Sequence, residues 1–171
     1  LRNPRNCQLI DVCDAGSPHP LLLAPDGDVR TDCQKYRVFK NGELIDEPSD
    51  ILKYWREDMV AFLMSCAMGF MGLLREKHIN HRLMGAYTSD IPCIPSGRFR
   101  CEQSVVSCRM FPTSLDAVRA TELTYRLPVA HGYPIHIGDP KEIGVDLMHP
   151  DILNPYAPGQ PPPPQPGEVC M

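Results

Sequence analysis

The sequence has no long run of basic residues and no apolar segment long enough to span a bilayer. Seventeen lysines and arginines stand against 21 aspartates and glutamates, which gives a formal net charge of −4. Because nucleic-acid binding needs a surface that neutralises phosphates, we expect no nucleic-acid partner. The longest nearly apolar run, residues 59–74, contains Ser65, Gly69 and Gly72. It is shorter than the roughly 18–20 residues of a membrane helix, so we expect no membrane segment.

The eight cysteines are spread along the chain and include no Cys-x-x-Cys pair. A chain of 171 residues, 43% of them hydrophobic, can form a globular core without disulfides. We therefore expect reduced thiols and a reducing compartment such as the cytosol or the mitochondrial matrix. The chain begins at Leu1 without a charged and then apolar leader, so we expect a processed chain, a fragment or a short form.

Two local patterns stand out in the first half of the chain. Asn41-Gly42 lies between two alternating segments, and this dipeptide favours two-residue hairpins because both residues accept positive φ. The pattern predicts a β-hairpin near residues 36–45. Apolar residues then recur at helical spacing, which predicts a long buried helix near residues 50–77.

The second half begins with glycines and prolines, which predict an irregular segment over 78–100. Residues 104–111 are rich in β-branched and apolar side chains and predict a strand. Thr113 or Ser114 can cap a helix that runs to about Arg126. A strand followed closely by a helix indicates the α/β class, with a mixed sheet and flanking helices.

The last residues differ in composition from the rest. Four consecutive prolines precede the C-terminal end of the chain, and such a stretch favours polyproline II conformation. We therefore predict one α/β domain over residues 1–157 and a proline-rich tail over 158–171.

Two histidines and an aspartate form the first candidate site. His131 and His136 are five residues apart, and Asp139 follows three residues later in a segment rich in proline and glycine. Imidazole can transfer protons near neutral pH, form structural hydrogen bonds or bind a metal ion. All three interpretations remain open, but the sequence shows no clear third metal ligand, so we predict no metal.

Two arginines form the second candidate site. Arg98 and Arg109 flank the predicted strand, and a planar guanidinium can hold a carboxylate through two parallel hydrogen bonds. The alternative is that each is an ordinary surface arginine.

Several segments, in order and at near-constant spacing, resemble the D-glutamate cyclase family of hydro-lyases. The resemblance covers about residues 1–169 and is carried by Arg30-Thr-Asp32, Tyr36-Arg-Val38, Trp55-Arg-Glu-Asp58, Val60-Ala-Phe-Leu63, Ile91-Pro-Cys93, Gly97-Arg-Phe99, Val105-Val-Ser107 with Arg109, and His131-Gly-Tyr-Pro-Ile-His136-Ile-Gly-Asp-Pro140.

The resemblance implies an α/β fold, no cofactor and a dehydration that closes D-glutamate into 5-oxo-D-proline. It also implies an animal member in the mitochondrial matrix, with D-glutamate as the partner. This chemistry needs a carboxylate clamp and proton transfer. We assign Arg98 and Arg109 to carboxylate binding and His131 or His136, oriented by Asp139, to proton transfer.

The chain also departs from the family. Tyr87-Thr-Ser-Asp90 stands where the family usually has Tyr-Arg-Thr-Asn, and family members continue beyond the segment Pro166–Val169. An alternative function is therefore that of a truncated, inactive relative that acts through protein interaction, with exposed apolar edges that recruit another copy or a partner. Recruitment of another copy would give a homo-oligomer. A zinc-dependent hydrolase built on His131, His136 and a cysteine is a third hypothesis.

Overall fold

The computed structural model describes residues 8–98, 100–127, 130, 132–154 and 159–171. Backbone contacts divide the chain into two compact units, one formed by Leu9–Met64 and the other by Ser65–Met171 together with the first residues of the chain. We call them the smaller and the larger unit.

The smaller unit consists of two antiparallel strand pairs and one 3-10 turn. Its elements are β1 (Leu9–Val12), β2 (Val38–Lys40), β3 (Glu43–Asp46), the 3-10 turn Leu52–Tyr54 and β4 (Phe62–Met64). β1 pairs with β4, and β2 pairs with β3. Asn41 and Gly42 have φ values of 54° and 87°, as the hairpin between β2 and β3 requires. The predicted hairpin is confirmed.

The larger unit is built on a four-stranded antiparallel sheet in the order β7-β5-β6-β8. Its elements are the 3-10 turn Ala67–Phe70, α1 (Met71–Glu76), β5 (Arg82–Pro92), β6 (Gln103–Phe111), α2 (Ser114–Tyr125), the 3-10 turn Pro140–Ile143, β7 (Ile152–Leu153) and β8 (Val169–Cys170). Thr113 caps α2 by accepting a hydrogen bond from the backbone N–H of Asp116, so the predicted helix and its start are confirmed.

The long buried helix predicted near 50–77 is wrong. The segment forms a 3-10 turn, the strand β4, a second 3-10 turn and the short helix α1. Strand pairing between β4 and β1 gives these backbone groups partners that a helix would have supplied locally. Gly69 and Gly72 also lower the helix propensity of the apolar run. Phe62, which the helical pattern placed toward a core, is 54% exposed.

The irregular segment predicted over 78–100 is also wrong, because it contains the eleven-residue strand β5. Gly85 explains the misleading signal: its φ is 153°, and a Cβ there would lie 2.7 Å from the Pro150 side chain. The glycine lets β7 approach rather than ending a strand. The α/β class is confirmed in its coarse form, with antiparallel sheets and two helices among the described residues instead of a mixed sheet.

Alternate residues of β6 point to opposite faces of the sheet and enter two apolar clusters. Val106, Cys108 and Met110 pack in one cluster with Tyr87, Val145 and their neighbours. Phe111 packs in the other, beneath α1 and α2. In the part of the chain that the structure describes, no helix has the length and apolar character needed to cross a membrane.

The C-terminal end of the predicted proline-rich tail is part of the sheet. Val169–Cys170 forms β8, which pairs with Phe111 and Met110 of β6. The predicted domain boundary at residues 157 and 158 stays a prediction.

Candidate active site

A cavity of about 660 Å³ lies in the larger unit, within the usual size range of small-molecule sites. Three segments supply most of its lining: residues 103–109 of β6, the loop residues 132–136, and the connection between β5 and β6 through Cys93, Ile94, Ser96, Arg100 and Cys101. Most of the lining is apolar, so the few polar groups that face the cavity decide what it can bind.

Arg109 is the charged group buried deepest in this lining, with an exposed fraction of 4%. Its Nη1 donates a hydrogen bond to Ser107 Oγ at 2.9 Å, and its guanidinium carbon lies 4.7 Å from the centre of the Phe70 ring. Among the described residues, neither Nε nor Nη2 has a hydrogen-bond partner. Because buried donors are normally satisfied, this unpaired edge of the guanidinium points to a ligand.

Burial lowers the pKa of Arg109 to about 10, against the weaker opposing effect of the neighbouring Cys108 and Cys66 thiols. The side chain is still a cation at neutral pH. A buried cation without an anionic partner is unfavourable, and an anion in the cavity would relieve that cost.

Two other arginines show which anion suits the unpaired edge. Arg82 donates from Nε and Nη2 to the two carboxylate oxygens of Glu168, at 3.1 and 2.5 Å. Arg30 donates from the same two nitrogens to the carboxylate of Asp28, at 2.9 and 2.6 Å. In Arg109 these same two donors have no partner among the described residues, so this edge of the guanidinium matches the geometry that the protein uses twice to hold a carboxylate.

His136 also lines the cavity. Its Nε2 lies 2.9 Å from the backbone carbonyl oxygen of Asp139. A carbonyl only accepts, so Nε2 carries the proton, and in the neutral ring Nδ1 is left as an acceptor. This tautomer makes Nδ1 the atom of His136 that can take a proton from a ligand.

Asp139 orients His136 through its backbone carbonyl and not through its carboxylate. The carboxylate accepts a hydrogen bond from Lys141 N–H at 3.0 Å and so caps the turn Pro140–Ile143. Asp139 is not among the residues that line this cavity. The structure therefore brings Arg109 and His136 to one cavity and gives Asp139 a supporting position.

Of the two remaining predicted site residues, the structure describes only Arg98. Arg98 is exposed and does not line the cavity, whereas Arg100, two residues later, does. His131 lies outside the described residues. Sequence reasoning missed Phe70 and Ser107, although the spacing Ser107-x-Arg109 on a strand was a usable signal, because residues two apart share a face.

No group of three histidine, cysteine, aspartate or glutamate side chains among the described residues is arranged to hold a metal ion. The zinc hypothesis named His131, which those residues do not include. A test of that hypothesis therefore rests on metal analysis.

Among the described residues, this α/β unit thus has a mostly apolar cavity with one buried guanidinium that is half unpaired, an arrangement suited to a small anion. Comparison with known proteins makes the assignment specific: the model of the D-glutamate cyclase family matches residues 60–171. This chain belongs to the D-glutamate cyclase family.

Similar proteins carry names of the form "Putative hydro-lyase". The chain is 47% identical to one from Bacillus licheniformis, over 88% of this chain and 60% of that protein. It is 46% identical to YcsI of Bacillus subtilis, over 88% and 61%, and 44% identical to one from Geobacillus kaustophilus, over 90% and 60%.

The chain thus spans about 60% of the length of the curated relatives it matches. These relatives are bacterial and give no support to the expected animal mitochondrial origin. No solved structure matches the chain.

Proposed function

We propose that the protein is a hydro-lyase that closes D-glutamate into 5-oxo-D-proline, with the α-carboxylate held by Arg109. The family supports the reaction class, and the free Nε and Nη2 donors of Arg109 support the binding of a carboxylate. D-Glutamate fits a cavity of about 660 Å³. The burial that makes Arg109 unfavourable in the empty protein also strengthens its attraction for an anion.

In the reaction the α-nitrogen attacks the γ-carboxyl carbon, a C–N bond forms, and one γ-oxygen leaves as water. Two of the three ammonium protons must leave with that oxygen. His136 is suited to move a proton between the two groups, because its Nδ1 accepts while Nε2 is held by the Asp139 carbonyl. Arg109 fixes the carboxylate that does not react, which holds the chain of the substrate for ring closure.

Formation of 5-oxoproline from D-glutamate tests the proposal, in this chain and in a longer protein that spans the full length of the relatives. We expect turnover to fall strongly in Arg109→Met and in His136→Ala. Arg98→Met is the matched control for the arginine, because Arg98 is exposed outside the cavity, and we expect it to retain activity. Normal kcat/KM in Arg109→Met would remove Arg109 from the site.

The length of the chain makes the comparison with the longer protein essential. If D-glutamate is converted only by the longer protein, the alternative of a non-catalytic short form that acts through protein interaction is favoured. A homo-oligomer remains a proposal that follows from the expected exposed apolar edges, and a mitochondrial matrix location remains one that follows from the resemblance. Light scattering and cell fractionation of the natural protein test them.

A further inference from the structure

Two cysteine thiols contact each other in the connection between β5 and β6. The register of the two strands ends with Pro92 opposite Gln103. Just beyond this pair, Cys93 N–H donates to the Glu102 carbonyl at 3.2 Å, which holds Cys93 beside Cys101. The Cys93 thiol is hydrogen-bonded to the Cys101 thiol. The Cys101 thiol donates in turn to the Gln103 carbonyl, with 2.9 Å between sulfur and oxygen. The two sulfur atoms are therefore neighbours in the folded chain.

The two thiols differ in exposure, and the difference gives each a role. Cys101 is exposed, whereas Cys93 is half-buried. Burial, and then the contact with Cys101, raises the pKa of the Cys93 thiol, so Cys93 holds its proton at neutral pH. An oxidant in solution therefore meets Cys101 first, and Cys93 lies in place to react with the oxidised sulfur. Redox-sensitive cysteines are typically accessible thiols with such a second thiol beside them.

A second pair of thiols in the larger unit provides a comparison. Cys108 and Cys170 are also hydrogen-bonded to each other. Their exposed fractions are only 3% and 5%, however. The two pairs share the contact between sulfurs and differ in access, so an oxidant in solution should reach the pair Cys93 and Cys101 and spare the buried pair.

The accessible pair belongs to the wall of the cavity that contains Arg109. Cys93 and Cys101 both line this cavity, and so does Arg100, which comes from the same connection. A disulfide has a sulfur–sulfur distance of about 2.05 Å, which is shorter than the distance between two hydrogen-bonded thiols. Its formation also removes the proton that Cys101 donates to the Gln103 carbonyl. Oxidation of the pair must therefore move this part of the wall.

We propose that Cys93 and Cys101 form a reversible disulfide that reshapes the wall of the cavity, with hydrogen peroxide as the oxidant. The Cys101 sulfur takes one oxygen atom from peroxide, the O–O bond breaks, and the other oxygen leaves as water. The Cys93 sulfur then displaces the hydroxyl group of the sulfenic acid, which forms the S–S bond and a second water. The two thiols thus lose two electrons and two protons, and one peroxide becomes two waters. A small thiol reverses the reaction by exchange.

Peptide mapping by mass spectrometry without reductant tests the disulfide on the wild-type protein. We expect an equimolar amount of hydrogen peroxide to link Cys93 to Cys101 and to leave Cys108 and Cys170 as thiols. Dithiothreitol should remove the link. Cys101→Ser should abolish it, whereas Cys33→Ser, which changes an exposed cysteine of the smaller unit, should leave it intact.

Two measurements test the effect on the cavity. In NMR spectra, the amide signals of Ser96 and Arg100 should move on oxidation, and the signal of Gly72 in α1 is the internal control. In calorimetry, the disulfide-linked protein should bind D-glutamate at least about threefold more weakly than the reduced protein, because displaced lining residues no longer fit the ligand. Peroxide should leave the affinity of Cys101→Ser unchanged. The calorimetric part rests on the proposed function.

Four results decide the matter. Oxidation of Cys101 without a link to Cys93, or a link between other cysteines instead, would refute the disulfide. A disulfide that leaves the signals of Ser96 and Arg100 in place would refute the movement of the wall. Equal D-glutamate affinity of both forms would refute control of the site. Failure of the reduced protein and of the longer protein to bind D-glutamate would refute the proposed function, and the peptide map and the NMR spectra would then decide this inference without it.

Discussion

Without ligand, the Arg109→Met variant should be more stable than the wild-type protein. With saturating D-glutamate, it should be less stable than the wild-type protein. Methionine has a similar length and no charge, so it can fill the same buried space beside Phe70. Burial lowers the pKa of Arg109 well below its ordinary value, to about 10, which corresponds to a cost of about 3 kcal/mol for the charged form.

Two interactions of Arg109 offset part of this cost and are lost in the variant. The contact of the guanidinium with the Phe70 ring is worth about 1 kcal/mol. The hydrogen bond from Nη1 to Ser107 is worth about 1.5 kcal/mol, because the donor is charged. We therefore expect Arg109→Met to raise the free energy of unfolding of the ligand-free protein by about 0.5 kcal/mol.

Saturating D-glutamate should reverse the order. A ligand at 100 times its Kd stabilises the wild-type protein by about 2.7 kcal/mol, and the variant should gain almost nothing. Urea unfolding followed by far-ultraviolet circular dichroism, with and without D-glutamate, measures both states. Arg98→Met should change stability by less than about 0.5 kcal/mol in either condition, because the side chain is exposed.

The pH dependence gives an independent check on the cause. Between the folded pKa of about 10 and the higher pKa of arginine in the unfolded chain, the unfolded wild-type protein binds more protons than the folded one, so wild-type stability rises with pH. The stability advantage of Arg109→Met should therefore shrink across this window. A ligand-free variant that loses more than about 2 kcal/mol at neutral pH would refute the reasoning, because it would show that the guanidinium has a partner within the protein.

Three further substitutions test the structure of the larger and the smaller unit. Gly144 has a φ of 74°, and a Cβ there would collide with the Asp90 carboxylate. Gly144→Ala should therefore lower the free energy of unfolding by at least about 1–2 kcal/mol and lower the melting temperature. Gly72 in α1 has open space around it, so Gly72→Ala is the control and should raise the free energy of unfolding by about 0.5–1 kcal/mol. The hydrogen bond from Arg30 lowers the pKa of Asp28 to about 2. The stability it contributes is present above the unfolded pKa of 3.8 and is lost as pH falls through about 2. Asp28→Asn should therefore be less stable than wild type at pH 7, and the difference should be much smaller at pH 2, measured by the fluorescence of the single tryptophan.

The elements that the sequence predicted correctly are those that local physics decides. Asn41-Gly42 forms a hairpin turn because both residues accept positive φ, and Thr113 starts α2 because its hydroxyl satisfies a free backbone N–H. The prediction of a long helix was wrong because the apolar pattern of this segment is compatible with several structures. The backbone of Phe62–Met64 pairs with β1, about fifty residues earlier, and no local signal records that pairing.

The site divides in the same way. Arg109 was predicted because an arginine beside a strand suits a carboxylate, and Ser107 could have been added from its spacing. That Arg109 is buried and half unpaired depends on Phe70, which comes from a 3-10 turn that the helical pattern concealed. The path of the connection between β5 and β6 decides whether Arg98 or Arg100 faces the cavity. The sequence does not distinguish them, because the two side chains have the same chemistry.

The same unpaired donors of Arg109 explain both the energetic cost of its burial and its proposed role in ligand binding. Phe70 and Ser107 contact part of the guanidinium, and the edge formed by Nε and Nη2 has no partner in the part of the chain that the structure describes. Free energy lost there on folding is recovered when a carboxylate binds, so variants that satisfy this edge from within the protein should gain stability and lose affinity together. A hydrophobic replacement of Arg109 raises stability by removing the buried charge. A carboxylate placed near Nε and Nη2 would raise it by pairing with that charge. Either change distinguishes the two roles of Arg109. If the arginine is only structural, stability alone should change. If it holds a ligand, stability and ligand affinity must change in opposite directions.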